Sequence, residues 1–146
     1  MTKTLAKYSQ SPLLGFAARK LLRLLGVAIP KGVTIGEDFE LMHGGIGTVI
    51  NPLTKIGNKV RIFQGVTLGR ADVYRHHTKS KFEGIHIDDG AWICAGAIVL
   101  GKTGVLRIGK NAIVGANSVV VCSIGDGEIW AGNPAVFIRN RRAEDY

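Results

Sequence analysis

Proline is scarce in this chain, with four in 146 residues, and cysteine is scarcer, with Cys94 and Cys122 alone. Two cysteines cannot build a disulfide framework, and their apolar neighbours in phased positions predict buried free thiols in a cytoplasmic protein. Aromatic residues make up 7% of the chain. That is too few for the stacking platforms that single-stranded nucleic acid needs, so nucleic acid is not an expected partner. No apolar run approaches the roughly 18 residues of a membrane-spanning helix. The N-terminus shows no secretory apolar region with a small-residue cleavage site. Acidic side chains are also short in supply, 11 against 19 basic, for a net charge of +8. The imbalance predicts an anionic partner without naming it.

Glycine is what the chain has in excess, 20 residues spread too evenly for a linker. A repeat explains the spread. Ile29, Ile35 and Leu41 are six apart, as are Ile50, Ile56, Ile62 and Leu68. Ile87, Ile93, Val99 and Val105 form a third set, and Ile108, Val114 and Val120 a fourth. A glycine often follows: Gly36, Gly57, Gly69, Gly109, Gly115. A strand alternates with period two and a helix repeats near 3.6, so neither sustains a step of six. Six residues fit one flat side of a triangular parallel β-helix, an all-β solenoid in which an aliphatic side chain points to the axis and a small residue turns the corner. The glycines are expected to relieve backbone crowding or strain at those corners.

The step slips three times. Leu41 to Ile50 spans nine residues and contains His43, Gly44 and Gly45. Leu68 to Ile87 spans nineteen, which predicts a loop over 69–86 thrown out of the coil. Val105 to Ile108 spans three. Insertions in a solenoid fall on its surface, where binding occurs. Before the coil, Ser11 reads as an N-cap, Pro12 as the first helical residue and Gly26 as the stop. The helix between them gathers Leu14, Ala17, Leu21, Leu24 and Leu25 on one face. That face is expected to cap the open end of the coil; the alternative is weak contact with a membrane surface through residues 12–25. The organisation is therefore an N-terminal cap (1–28), a coil (29–139) and a C-terminal tail (140–146).

The segments LMHGGIGTVIN, KIGNKVRIFQGVTLG, IDDGAWICAGAIVLG, IGKNAIVGANSVV and WAGNPAVFIR, in this order, resemble the hexapeptide-repeat acyltransferases. The likeness covers about residues 29–139 and lies nearest the serine acetyltransferase branch and similar enzymes that acetylate bacterial surface sugars. It implies a left-handed β-helix, a homotrimer with sites shared between chains, and acetyl-CoA as acyl donor. Acyl transfer to a hydroxyl needs a base, and histidine can take and release a proton near neutral pH. The resemblance gives that role to His43. Met42 stands where the branch commonly has aspartate, and Ala28 stands near the place of an upstream orienting aspartate. An orienter must then come from Glu40, Asp38, a backbone carbonyl or the long loop. The family's second histidine, with an arginine beside it, has its candidates in His76, His77 and His86, with Arg75 next to His76.

On the donor side the resemblance sets Ala95 and Ala116 at two small positions facing CoA. It also sets Arg139 where a forked donor would hold a CoA phosphate. Lys102 and Lys110 are further cations for it, as are Arg141 and Arg142. Trp130 falls beside the pantetheine or over the last coil. The expected activity is acetyl transfer to a hydroxyl of a sugar or polysaccharide precursor, with serine as the second acceptor and no metal. Two rivals share the coil. A γ-carbonic-anhydrase-like zinc enzyme needs three converging histidines, for which adjacent His76 and His77 are poor geometry. The other is a non-enzymatic basic scaffold.

Overall fold

The structure, a computed structural model, describes residues 1–145. Two helices, α1 (Thr2–Tyr8) and α2 (Gly15–Leu24), precede the strands. The first coil runs through β1 (Thr34–Ile35), β2 (Glu40–Leu41) and β3 (Val49–Ile50). The second runs through β4 (Thr54–Ile56), β5 (Arg61–Ile62) and β6 (Thr67–Arg70), and the third through β7 (Lys81–Ile87), β8 (Trp92–Ile93) and β9 (Ile98–Gly101). The fourth comprises β10 (Thr103–Ile108), β11 (Ile113–Val114) and β12 (Val119–Val120). An antiparallel hairpin of β13 (Glu128–Gly132) and β14 (Ala135–Asn140) ends the chain's last sheet.

Each coil places one strand on each of three faces. The first face pairs β1-β4-β7-β10, the second β2-β5-β8-β11-β13-β14 and the third β3-β6-β9-β12, all parallel except the last hairpin. A chain that visits three parallel sheets in rotation is a three-sided solenoid, with coils stacked at about 4.8 Å.

The step of six marks the interior. Ile50, Ile56, Ile62, Leu68, Ile87, Ile93, Val99, Ile108, Val114 and Val120 are all buried. A second inward ladder lies two residues earlier, at Val60, Val66, Ile85, Ala91, Ala97, Leu106 and Ala112. Val105 departs from the expectation and faces outward. The pairing of β10 with β7 shifts register between Gly104 and Val105, so Leu106 and Ile108 take the inward places. That shift is the physical content of the third slip.

The glycines that follow the inward residues relieve crowding, one of the two expected roles, and not backbone strain. Left-handed backbone falls two residues further on, at Lys59 and Asn111 among others. Gly36 and Gly57 are instead sites of close stacking. A Cβ on Gly36 would lie 2.5 Å from the carbonyl carbon of Gly57 in the next coil, and one on Gly57 would lie 2.9 Å from the Asp89 nitrogen. No side chain fits between coils so close.

The N-terminal segment forms two helices, and α2 turns inward a face other than the expected one. Ser11 Oγ accepts from the Leu13 and Leu14 nitrogens, so it caps a turn, and α2 starts only at Gly15. The inward residues of α2 are Gly15, Ala18 and Leu22, while Leu14, Leu21 and Leu24 face outward. Small residues allow α2 to lie close against its support: Arg19 Nη1 donates to the Ser9 carbonyl at 2.5 Å. The helix α1, which no sequence signal marked, packs on α2, β2 and the Met42–Gly45 turn, burying Ala6.

The long excursion is shorter than 69–86. Arg70 still belongs to β6, and β7 begins at Lys81. Only residues 71–80 lie between them. His86 is therefore a coil residue, registered between Lys55 and Arg107 on the first face. The C-terminal tail also folds back. The Arg141 nitrogen donates to the Gly127 carbonyl at 2.6 Å, and Arg141 Nη1 to the Asn111 carbonyl at 3.1 Å.

Candidate active site

The first slip is a left-handed turn. His43 has φ 52° and ψ 33°, Gly44 φ 74°, and Gly45 φ 67°. Glycine adopts this region freely, whereas a side-chain-bearing residue there costs roughly 1–2 kcal/mol. The turn carries the chain from β2 to β3 around the edge between the second and third faces, and leaves the imidazole exposed. The Phe63 ring of the next coil lies 6.1 Å from it, centroid to centroid.

The same edge continues coil by coil. Gly65 donates to the Ile46 carbonyl, Gly96 to that of Gln64, and Asn117 to that of Ala95, at 2.8, 3.0 and 2.9 Å. Ala95 and Ala116 thus lie on the edge that carries His43, one coil apart from each other. The sequence proposes these three separately, and the fold puts them in one line. Ala28 pairs with Val49, so residue 28 does lie beside this edge.

Gln64 also stands on this line, and the sequence reading passed over it. Its Oε1 is buried and makes no hydrogen bond among the described residues. Cys94, between Gln64 and Ala116, is half-buried, and burial raises its thiol pKa. Cys122 is exposed, against the expectation of two buried thiols; it follows β12, where the chain has turned outward. Of the proposed orienters, Glu40 accepts from Arg61 Nε at 2.8 Å.

The other candidates fall elsewhere. Residues 71–80 leave at the edge between the third and first faces, as does Lys102, which is exposed between β9 and β10. Arg75, His76 and His77 are exposed there; the two imidazole centroids lie 4.2 Å apart with the rings tilted by 39°, and His76 Nδ1 lies 2.9 Å from Thr78 Oγ1. Asp72, almost fully buried, holds the base of this segment. It receives Arg70 at 3.3 Å and the Ser80 hydroxyl at 3.2 Å. His43 and the loop histidines therefore occupy different edges of one chain.

Arg139, on β14, directs both guanidinium nitrogens to Asp145, at 2.6 and 2.9 Å. That fork, with the Arg142 backbone N–H, holds the Asp145 carboxyl well below the usual carboxylate range. Trp130 covers the last coil, with Phe137 edge-on at 6.5 Å and its Nε1 donating to Glu128. Among the described residues no three His, Cys, Asp or Glu side chains gather as a metal ligand set.

No model of a known protein family matches the chain. It is 39% identical to the serine acetyltransferase of Bacillus subtilis (strain 168) over 119 residues, which is 79% of this chain and 49% of that protein. Soybean serine acetyltransferase complexed with serine superposes with a TM-score of 0.74 at 28% identity, covering 94% of this chain and 54% of the other. A serine acetyltransferase in complex with CoA superposes with a TM-score of 0.72 at 26% identity, over 94% and 53%. The chain spans about half the length of the curated relatives it matches first. By sequence and by fold, this protein is similar to the serine acetyltransferases over that half.

Proposed function

We propose that the chain transfers an acetyl group from acetyl-CoA to a hydroxyl, with serine as the acceptor. The observation that carries the reading is the shared edge of His43, Ala95 and Ala116. CoA laid along that edge meets backbone that small side chains leave open, with its thioester brought toward the imidazole. The neutral ring removes the hydroxyl proton as the oxygen attacks the thioester carbonyl. The tetrahedral intermediate then collapses, the C–S bond breaks, and the imidazolium returns its proton to the leaving thiolate. The exposed, left-handed turn presents the ring to both substrates.

The acceptor order expected from sequence is reversed here. A sugar hydroxyl came first on motif departures such as Met42. The relatives named above are all serine acetyltransferases, one of them holding serine. On this reading the coil is left-handed, the hand that the resemblance implies, and the compartment is the cytoplasm, where thiols stay reduced. The assembly is a homotrimer, because the two edges bearing His43 and residues 71–80 meet only if a second chain supplies one of them.

An acceptor screen with acetyl-CoA tests the reading, following thiol release and product mass. Serine should give O-acetylserine. Release dependent on a sugar and not on serine would restore the first order, and no acceptor-dependent release would overturn the activity.

A further inference from the structure

The helical cap leaves an apolar ridge unpartnered. Leu14, Ala17 and Leu21 line a groove with Leu5 and Tyr8 of α1, and beyond that groove Leu13, Phe16 and Leu24 face solvent. Leu13 and Leu24 are 90% and 84% exposed, and Phe16 is 68% exposed. Scattered exposed apolar residues are ordinary, but a contiguous group rimmed by polar ones marks an interaction surface.

Charge decides what fits it. The first acidic residue of the sequence is Glu37, so the whole cap carries basic groups only. Lys20 and Arg23 are exposed on the flank of the ridge, and the Lys20 ammonium lies 5.0 Å from the centre of the Phe16 ring. Lys7 meets Glu37 at 3.7 Å with both side chains more than 70% exposed, an ion pair of little strength. The cap of a second copy carries the same basic groups and no acidic ones, so cap-to-cap docking is repulsive under any symmetry. An anionic lipid layer supplies both requirements: apolar depth for the ridge and negative charge for its flank. Ten residues make a helix about 15 Å long, too short to span a bilayer but suited to lie in its interface.

We propose that residues 13–24 dock the protein, with α2 lying in the plane, on a membrane surface rich in anionic lipid. The inference is independent of the acceptor and of the acetyl transfer itself.

Vesicle flotation tests it. The protein should float with vesicles of equal parts phosphatidylglycerol and phosphatidylcholine at low salt, and stay below with phosphatidylcholine alone. Rising salt should release it, and each basic group reversed should weaken partitioning about fivefold or more. Lys20→Glu with Arg23→Glu, and separately Phe16→Ser with Leu24→Ser, should each abolish flotation while the melting temperature stays unchanged, since all four side chains are exposed. Absence of flotation with anionic vesicles would overturn the proposal. So would equal flotation with both compositions, or binding that survives the loss of Phe16 and Leu24. If the serine pair instead lowered the sedimenting mass with no lipid binding in the parent protein, the ridge would be a contact between chains, and the membrane would be excluded.

Discussion

Arg139 Nη1 and Nη2 engage the two carboxylate oxygens of Asp145, so the fork expected to receive a CoA phosphate already holds an anion of its own chain. A phosphate at that position must displace the carboxylate. Asp145→Asn should therefore lower the KM for acetyl-CoA several-fold with kcat unchanged, and Arg139→Glu should raise the KM. Binding remote from the reacting carbonyl is uniform and appears in KM. Dephospho-CoA isolates the contact: if wild type and both variants discriminate equally between the two donors, Arg139 has no part in holding the 3′-phosphate.

The same pair gives a pH prediction. The carboxyl of Asp145 has a folded pKa below its unfolded value of about 3.9. Its contribution to anchoring the tail is thus complete above about pH 4 and is lost as pH falls through the depressed folded value. Tail proximity, followed by NMR contacts between residues 139 and 145, should persist at pH 4 in the wild type. In Arg139→Gln the Asp145 midpoint should rise toward the ordinary range. A midpoint unaffected by that change would place the cause of the shift elsewhere.

Replacing His43 needs a residue that tolerates its backbone. Asparagine is enriched in the left-handed region and alanine is not. His43→Asn should keep the turn and the melting temperature while lowering turnover by about 10²–10⁴. Near-normal kcat at saturating substrates would remove His43 from the chemistry.

Gly36 and Gly57 offer a test of coil stacking. Neither has a left-handed backbone, so strain on substitution would come from contact alone. Gly36→Ala should cost about 1–3 kcal/mol, the usual range for forced overpacking, read as a lower denaturant midpoint. Gly104→Ala, where a Cβ meets no atom within 4 Å, should show only the smaller cost of its φ of +61°. An equal loss at both would mean that the small residues serve conformation and not stacking.

The six-residue step exposed the interior of the solenoid because one buried position recurs per face, and burial is what fixes residue type. His43, Ala95 and Ala116 share one edge for the same reason, since phase along the coil determines the edge. What phase could not reveal lies outside the repeat. The inward face of α2 is not its most apolar stripe, Leu14, Ala17, Leu21 and Leu24, because close packing selects the smaller Gly15 and Ala18 beside Leu22. His86 looks like loop in the sequence because β7 begins before the six-residue step resumes, and its alternation breaks where Gly84 and Ile85 are both buried. Asp145 gave no signal at all; its partner is six residues away on a strand whose direction reverses only in three dimensions.

The separation of His43 from residues 71–80 onto different edges leads to the last prediction, that a complete site needs two chains. A three-sided coil presents flat faces suited to packing around a threefold axis, and head-to-tail contacts of this kind close into rings. In such a ring, His43 of one chain lies beside the 71–80 segment of its neighbour. His43→Asn is one defective partner. The other carries His76→Ala and His77→Ala, provided that this pair is inactive by itself. Each variant alone damages every site of its trimer. Unfolded together and refolded, they form mixed trimers in which some interfaces join an intact His43 to an intact loop. Activity should return in proportion to those interfaces, and the separate proteins, mixed without unfolding, should remain inactive. Verified subunit mixing without recovery would confine the reaction to one chain, and a monomer in sedimentation would remove the shared site altogether.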